Sequence, residues 1–145
     1  MTRTATLTWT TFDLWVPGKA EPQGSKTRGR WSIYDDNPNT KPWRERVALA
    51  ASTAMHADGI NPLPPKAPVA IRLDFVLPRL ASAPKTKAHP PATTKPDLDK
   101  LIRAIFDALT GPVLHDDAQV IDVHARKRRA ELVEEPGVHI TVSVA

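Results

Sequence analysis

The chain has 145 residues, 41% hydrophobic and 25% charged, which is the usage of one ordinary globular domain over 1–145 and not of a disordered chain. It contains no cysteine, which excludes disulfides, thiolate metal sites and thiol nucleophiles, and no apolar stretch approaches the ~20 residues of a membrane span. Lys and Arg outnumber Asp and Glu by 20 to 16, a net charge of +4, and the N-terminal residues lack the apolar run of a secretory signal, so a cytoplasmic protein that tolerates polyanions is expected.

Phe12, Leu14 and Val16 alternate with polar neighbours and predict a first strand. A long polar loop from Pro17 to about Asn39 follows, carrying Lys26, Arg28 and Arg30. From Pro42 to about His56, Trp43, Val47, Ala50, Ala51 and Ala54 keep helical spacing, with Thr40 and Pro42 as the start signal. Val69, Ile71, Leu73, Phe75 and Leu77 alternate through a strand with one buried face. Prolines cluster on both sides of it, at 62–68 and 78–96, where a fixed φ and a missing donor mark loops. A second helix runs from about Leu98 to Leu109, with Asp97 placed to cap it and Gly111-Pro112 to stop it. Val120 to about Arg126 reads as a strand and Val138 to Val144 as the last one, with Glu134–Gly137 predicting an antiparallel hairpin between them. The order β-α-β-α-β-β predicts an α/β protein of the α+β two-layer type, a four-stranded mixed sheet with both helices on one face.

The chemistry concentrates around the second helix. Leu98, Leu101, Ile102, Ile105 and Leu109 form its apolar stripe, and Asp99, Arg103 and Asp107 stack four apart on the polar side. Read plainly, Asp97 caps, Asp99 complements the helix dipole, and the three stacked charges are surface pairs of about 0.3–0.5 kcal/mol each. Asp116-Asp117, just beyond the helix, changes that weighing. If these acids meet Asp97 and Asp99, several carboxylates share one pocket, and such a group is stable only when protonated or bridged by a cation. All-oxygen ligands suit a hard divalent ion, Mg²⁺ or its substitute Mn²⁺. Basic residues at Lys26 and Arg28, at Lys85, Lys87 and Lys95, and at Arg126-Lys127-Arg128-Arg129 are either solvated surface or contacts to phosphate.

The segment Pro96-Asp-Leu-Asp-Lys-Leu-Ile-Arg-Ala-Ile-Phe-Asp-Ala-Leu109, followed by His115-Asp-Asp-Ala-Gln-Val-Ile-Asp122, closely resembles the RusA-type Holliday junction resolvases, over about Pro96 to Lys127. Val16-Pro-Gly-Lys-Ala-Glu-Pro-Gln-Gly-Ser-Lys26 is similar to the Pro/Gly/Lys loop of phage-type members. The resemblance implies that Asp97, Asp99 and Asp117 are catalytic, metal-binding carboxylates supported by Asp116. It places the family's helix lysine at Arg103 and its strand lysine at Lys127. DNA contacts would then come from Lys26, Arg28, Lys95, Lys100, Arg126, Lys127, Arg128 and Arg129. Two departures stand out: Lys100 replaces an Asn next to the acids, and Arg103 exchanges a compact ammonium for a planar guanidinium.

The resemblance implies a homodimeric, Mg²⁺-dependent endonuclease that resolves four-way DNA junctions in recombination and repair, in a bacterial or phage-infected cytoplasm. The rival readings are a broader nuclease of branched or single-stranded DNA, a junction-binding module without turnover, for which Lys100 is the argument, and a structural protein whose acids are surface pairs. His115 is read as an ordinary turn residue. Trp9, Trp15, Trp31 and Trp43 are read as core or loop anchors, with Trp31 alone considered for DNA.

Overall fold

The sheet is built by alternation. In the computed structural model, which describes residues 11–24, 26–28, 33–35 and 37–145, β1 (Thr11–Pro17) and β6 (Gly137–Val144) pair antiparallel. β6 also pairs antiparallel with β4 (Val69–Leu77), and β4 pairs parallel with β5 (Val120–Arg129), so the order is β1-β6-β4-β5. Register aligns side chains into rows across all four strands. Phe12, Val142, Ile71 and Val123 form one row, Leu14, Ile140, Leu73 and Ala125 the next, then Val16, Val138, Phe75 and Lys127. Except at β5, these rows are buried, and α1 (Thr40–Ala57) and α2 (Leu98–Leu109) cover them. Trp43, Val47, Ala51 and Met55 of α1 and Leu101, Ala104, Ile105 and Leu109 of α2 join them in one core. The opposite sheet face carries Asp13, Trp15, Arg72, Asp74, His124, Arg126 and His139, and no helix of the described residues packs on it. This is the expected two-layer α+β sandwich.

Three details differ from the sequence expectation. β5 and β6 do not form a hairpin: β6 sits inside the sheet, between β1 and β4. A hairpin would have pushed β5 inward or β6 outward, yet Val138, Ile140 and Val142 are fully buried while β5 ends in Arg126-Lys-Arg-Arg129, a composition suited to an edge. β5 also runs on to Arg129, and the polar loop after Pro17 contains a small antiparallel pair, β2 (Lys26–Arg28) with β3 (Ile33–Asp35). The side chains of residues 25–36, and residues 1–10, lie outside the described residues.

Burial sets the expected mutational costs. Leu101 is fully buried under the sheet and Leu49 of α1 is 69% exposed. Leu101→Ala is expected to lower unfolding stability by about 2–5 kcal/mol, and Leu49→Ala to stay within about 0.5 kcal/mol, in urea titrations. Equal costs would contradict this packing.

Candidate active site

A parallel pair such as β4 and β5 must be joined by a crossover, and here the crossover is the proline-rich segment 78–97 followed by α2. α2 therefore returns antiparallel to the strands. Its first turn lies at their C-terminal end and its last turn at their N-terminal end.

At the C-terminal end, two basic side chains of β5 turn toward the helix layer instead of toward solvent. Lys127 Nζ donates to the carbonyls of Thr94 (2.8 Å) and Pro96 (2.7 Å). Arg129, 8% exposed, donates to the carbonyls of Pro78 (3.1 Å) and Lys95 (2.9 Å). A loop without regular structure has no ladder for its carbonyls, and these cations supply the missing donors. Arg79 adds donors to the carbonyls of Pro84 and Lys87, and pairs with Glu131 at 3.2 Å. The basic run expected to contact DNA thus divides by strand alternation. Lys127 and Arg129 hold the chain just before Asp97, and only Arg126 and Arg128 face the open side of the sheet.

Asp97 occupies the N-cap position of α2 and its carbonyl accepts Leu101 N–H at 3.1 Å. Its carboxylate makes no capping bond, contrary to expectation, and is exposed, as is Asp99 two residues on, in the first turn. Beside Asp97 opens a cleft of about 420 Å³ lined also by Lys19, Glu21, Lys95 and Lys100. The loop carrying Glu21 is tied to α2 by Gln23 N–H to the Lys100 carbonyl (2.9 Å) and to α1 by Thr40 Oγ1 to the Pro22 carbonyl (2.6 Å). Glu21, 8% exposed, is a carboxylate that sequence reading did not single out, since a lone Glu between Ala20 and Pro22 carries no periodic signal. Arg103 is exposed on the polar face of α2, and Asp107 pairs with Arg44 of α1 (3.3 Å) where the four-residue spacing suggested Arg103.

At the other end, a single 3₁₀ turn, Asp117–Gln119, leads into β5. Asp116 Oδ1 accepts the Ala118 N–H at 2.9 Å, so this carboxylate caps the turn. Gln119 uses its full hydrogen-bonding capacity. Its Oε1 accepts the N–H groups of His115 (2.9 Å) and Asp116 (3.0 Å), and its Nε2 donates to the carbonyls of Pro64 and Ala67, both 3.0 Å. That locked amide presents Asp117, which is exposed and whose carboxylate makes no hydrogen bond or ion pair among the described residues.

The four acids do not gather within one chain. The seven residues from Val120 to Lys127 span about 23 Å of strand, and the helix between the two acid groups runs the same way, so Asp97 and Asp99 stand on the order of 20 Å from Asp117. Among the described residues no three His, Asp or Glu side chains form a group able to hold a metal ion. A single chain therefore does not fit the expected divalent ion. The helix connecting the acids is also the spacer that separates them.

On the open sheet face, Arg126 Nε donates to Asp74 Oδ1 (2.6 Å) and Arg72 Nε to Asp74 Oδ2 (3.1 Å). Burial alone would raise the Asp74 pKa, but these two hydrogen bonds outweigh it and hold the carboxyl below its ordinary value. Arg128 grips Glu134 with two nitrogens at 2.6 Å each. That hydrogen bonding, helped by the Glu131 N–H, lowers the Glu134 pKa to about 2. Lys26 and Arg28 fall on β2, and their side chains, like Arg30 and Trp31, lie outside the described residues.

The profile of the family described as Endodeoxyribonuclease RusA matches residues 15–143. A Bacillus subtilis (strain 168) protein named Uncharacterized protein YqaN is 28% identical over 132 residues, covering 86% of this chain and 87% of that protein. Both matches run through the cleft, α2 and the turn at Asp117.

Two outcomes follow from this geometry. Arg129→Met strands two carbonyls and should cost about 1–3 kcal/mol in urea unfolding while leaving the salt dependence of DNA binding unchanged; a smaller salt slope would return Arg129 to the DNA-contacting set. The Glu134 pKa lies below its usual 4.5, so the stability gained from the Arg128 pair is full above that value and fades as pH falls through about 2. The stability gap between the wild type and Arg128→Gln should close over that acid range. A gap that stays constant would contradict the pairing.

Proposed function

Because the chain belongs to the endodeoxyribonuclease RusA family, we propose that it is a structure-selective endonuclease which hydrolyses phosphodiester bonds at four-way DNA junctions and acts as a homodimer. The observation that carries the reading is that the two acid groups stand at opposite ends of β5, a strand whose outer edge pairs with no other strand among the described residues. On β5, Ile121 is 69% and Val123 44% exposed, an apolar edge that natural sheets seldom leave open.

A second copy adding its β5 antiparallel about His124 would place Asp122 opposite Arg126 of the partner subunit, a complementary pair. The same register sets the N-terminal end of one β5 beside the C-terminal end of the other. Asp117 of one copy would then approach Asp97 and Asp99 of the next, and two such sites would form with the near two-fold symmetry of a four-way junction. Three carboxylates with no other partner among the described residues suit Mg²⁺, or Mn²⁺ in its place, and such an ion would supply charge stabilisation at the scissile phosphate.

The chain's own cations serve the DNA strand. Lys95 and Lys100 line the cleft beside Asp97 and would hold phosphates entering it. Arg103, one turn along α2 from Asp99, would contact the same backbone farther on. Lys127 and Arg129 would act indirectly, by keeping Thr94–Pro96 and hence Asp97 in place. Lys100 next to the acids lowers the local negative charge, so the ion would bind more weakly than in a purely acidic pocket.

A synthetic immobile four-way junction, incubated with Mg²⁺ or with chelator and its strands then sized, tests this reading. Paired nicks should appear only with Mg²⁺. Asp97→Asn, Asp99→Asn and Asp117→Asn should each reduce nicking by about a hundredfold or more, the scale of several kcal/mol of lost charge stabilisation, while junction binding in chelator persists. Wild-type turnover by any of the three would remove that residue from the site. Junction binding without nicking under any divalent ion would instead identify a binding module.

A further inference from the structure

The proline-rich segment 78–96, between β4 and α2, carries a charge surplus that the nuclease reading does not use in full. It contains Arg79, Lys85, Lys87 and Lys95 and no Asp or Glu. Arg79 is answered by Glu131 at 3.2 Å. Lys85, Lys87 and Lys95 are exposed and form no ion pair among the described residues. Lys127 and Arg129, which hold the segment from below, donate to its neutral carbonyls. On the turn after β5, Glu134 pairs with Arg128, and Glu135 accepts from Trp15. Asp97 and Asp99, which follow the segment, belong to the acid site. Positive charge is therefore left over on the loop itself.

The loop has no regular structure, yet its path is fixed. Arg79 donates to the carbonyls of Pro84 and Lys87 and so closes the stretch that carries Lys85. The Ala83 N–H donates to the Leu80 carbonyl at 3.0 Å, and the Glu131 carboxylate accepts the His89 N–H at 3.2 Å. A floppy basic loop loses conformational freedom when it binds, whereas here the ordering has been done by folding. The segment contains no Trp, Tyr or Phe, so it has no aromatic ring on which an unpaired base could stack. Its ammonium groups recognise phosphates without reading bases. Cations in fixed places suit a partner whose phosphates are also in fixed places. A duplex, stiff over about 150 base pairs, is such a partner, and a flexible single strand is not.

We infer that the segment 78–96 is a binding surface for a duplex arm of the DNA, with Lys85 and Lys87 on its phosphate backbone and Lys95 continuing the contact toward the cleft beside Asp97. This rests on DNA being the substrate, as proposed above. It adds that the paired region flanking the cut is held by this loop, outside the cleft that takes the strand to be cut. Arg79 and Glu131 touch no DNA in this arrangement. They are positioning residues that act through the path of the loop.

Fluorescence anisotropy with a labelled blunt duplex and a labelled oligothymidylate of equal length, in chelator and over a series of salt concentrations, tests the surface. Each lysine–phosphate contact contributes about 0.9 to the slope of log affinity against log salt on duplex DNA, so Lys85→Gln/Lys87→Gln should reduce that slope by about 1.8. Both side chains are exposed, so the fold is kept. Lys85→Arg/Lys87→Arg should retain the wild-type slope. Glu131→Ala keeps every lysine and adds one net positive charge, so charge alone would tighten binding. Loss of the fixed path should instead weaken duplex binding at every salt concentration, with the slope kept. An unchanged slope in Lys85→Gln/Lys87→Gln would overturn the inference, as would a loss confined to the single strand or tighter duplex binding by Glu131→Ala. The junction assay with Mg²⁺ reads the nuclease separately. Lysine-dependent duplex binding without nicking would sustain this surface while refuting the proposed activity, and nicking with an unchanged slope would do the reverse.

Discussion

The parallel pairing of β4 with β5 governs everything else in this molecule. Parallel neighbours cannot be joined by a tight turn, so the chain must cross over, and α2 is the crossover. A helix that carries the chain from the end of one strand to the start of the next must span the length of the sheet. The Asp97/Asp99 group and the Asp116/Asp117 group flank that helix and are held at its two ends. Their separation is a consequence of topology and would survive any rearrangement of side chains. The same pairing leaves β5 with one satisfied edge and one open edge.

The second constraint is the handling of charge on β5. Four consecutive basic residues alternate between sheet faces, and the two that point inward donate to backbone carbonyls of the proline-rich segment. A cation buried without partners would be very costly, and loop carbonyls buried without donors nearly so; each answers the other. The loop gains a fixed path and delivers Asp97 to the cleft with its carboxylate uncommitted. At the opposite end Gln119 does the same for Asp117 through four hydrogen bonds. Both uncommitted carboxylates are thus presented by segments that polar side chains, Lys127 and Arg129 at one end and Gln119 at the other, hold through backbone hydrogen bonds.

Much of this was legible in the sequence. The alternation of Val69–Leu77 and the stripe Leu101, Ile105, Leu109 identify strand and helix because burial enforces their periods, and both are buried as expected. The resemblance around Asp97 and Asp117 was legible as spacing along the chain. What periodicity does not encode is which strands become neighbours. Glu134–Gly137 has the composition of a hairpin turn, yet β6 crosses to the centre of the sheet because its Val138, Ile140 and Val142 need cover on both sides. The inward turn of Lys127 and Arg129 follows from simple alternation and was open to be read, but a dense basic run draws attention as a single patch. Glu21 gave no signal, since its position depends on how the loop after β1 folds back onto α2. Any contribution from a second copy lies outside a single chain's pattern altogether.

The central claim is that each acid site is completed between two copies, and mixing inactive variants tests it directly. Asp97→Asn and Asp117→Asn proteins, each unable to nick, are combined, unfolded and refolded together, then given the four-way junction with Mg²⁺. If the site is shared, a mixed dimer contains one site with both acids intact, and nicking should return to about a quarter of the wild-type level. If nicking stays at the level of the separate variants although mixed dimers have formed, the acids act within one chain and the account fails.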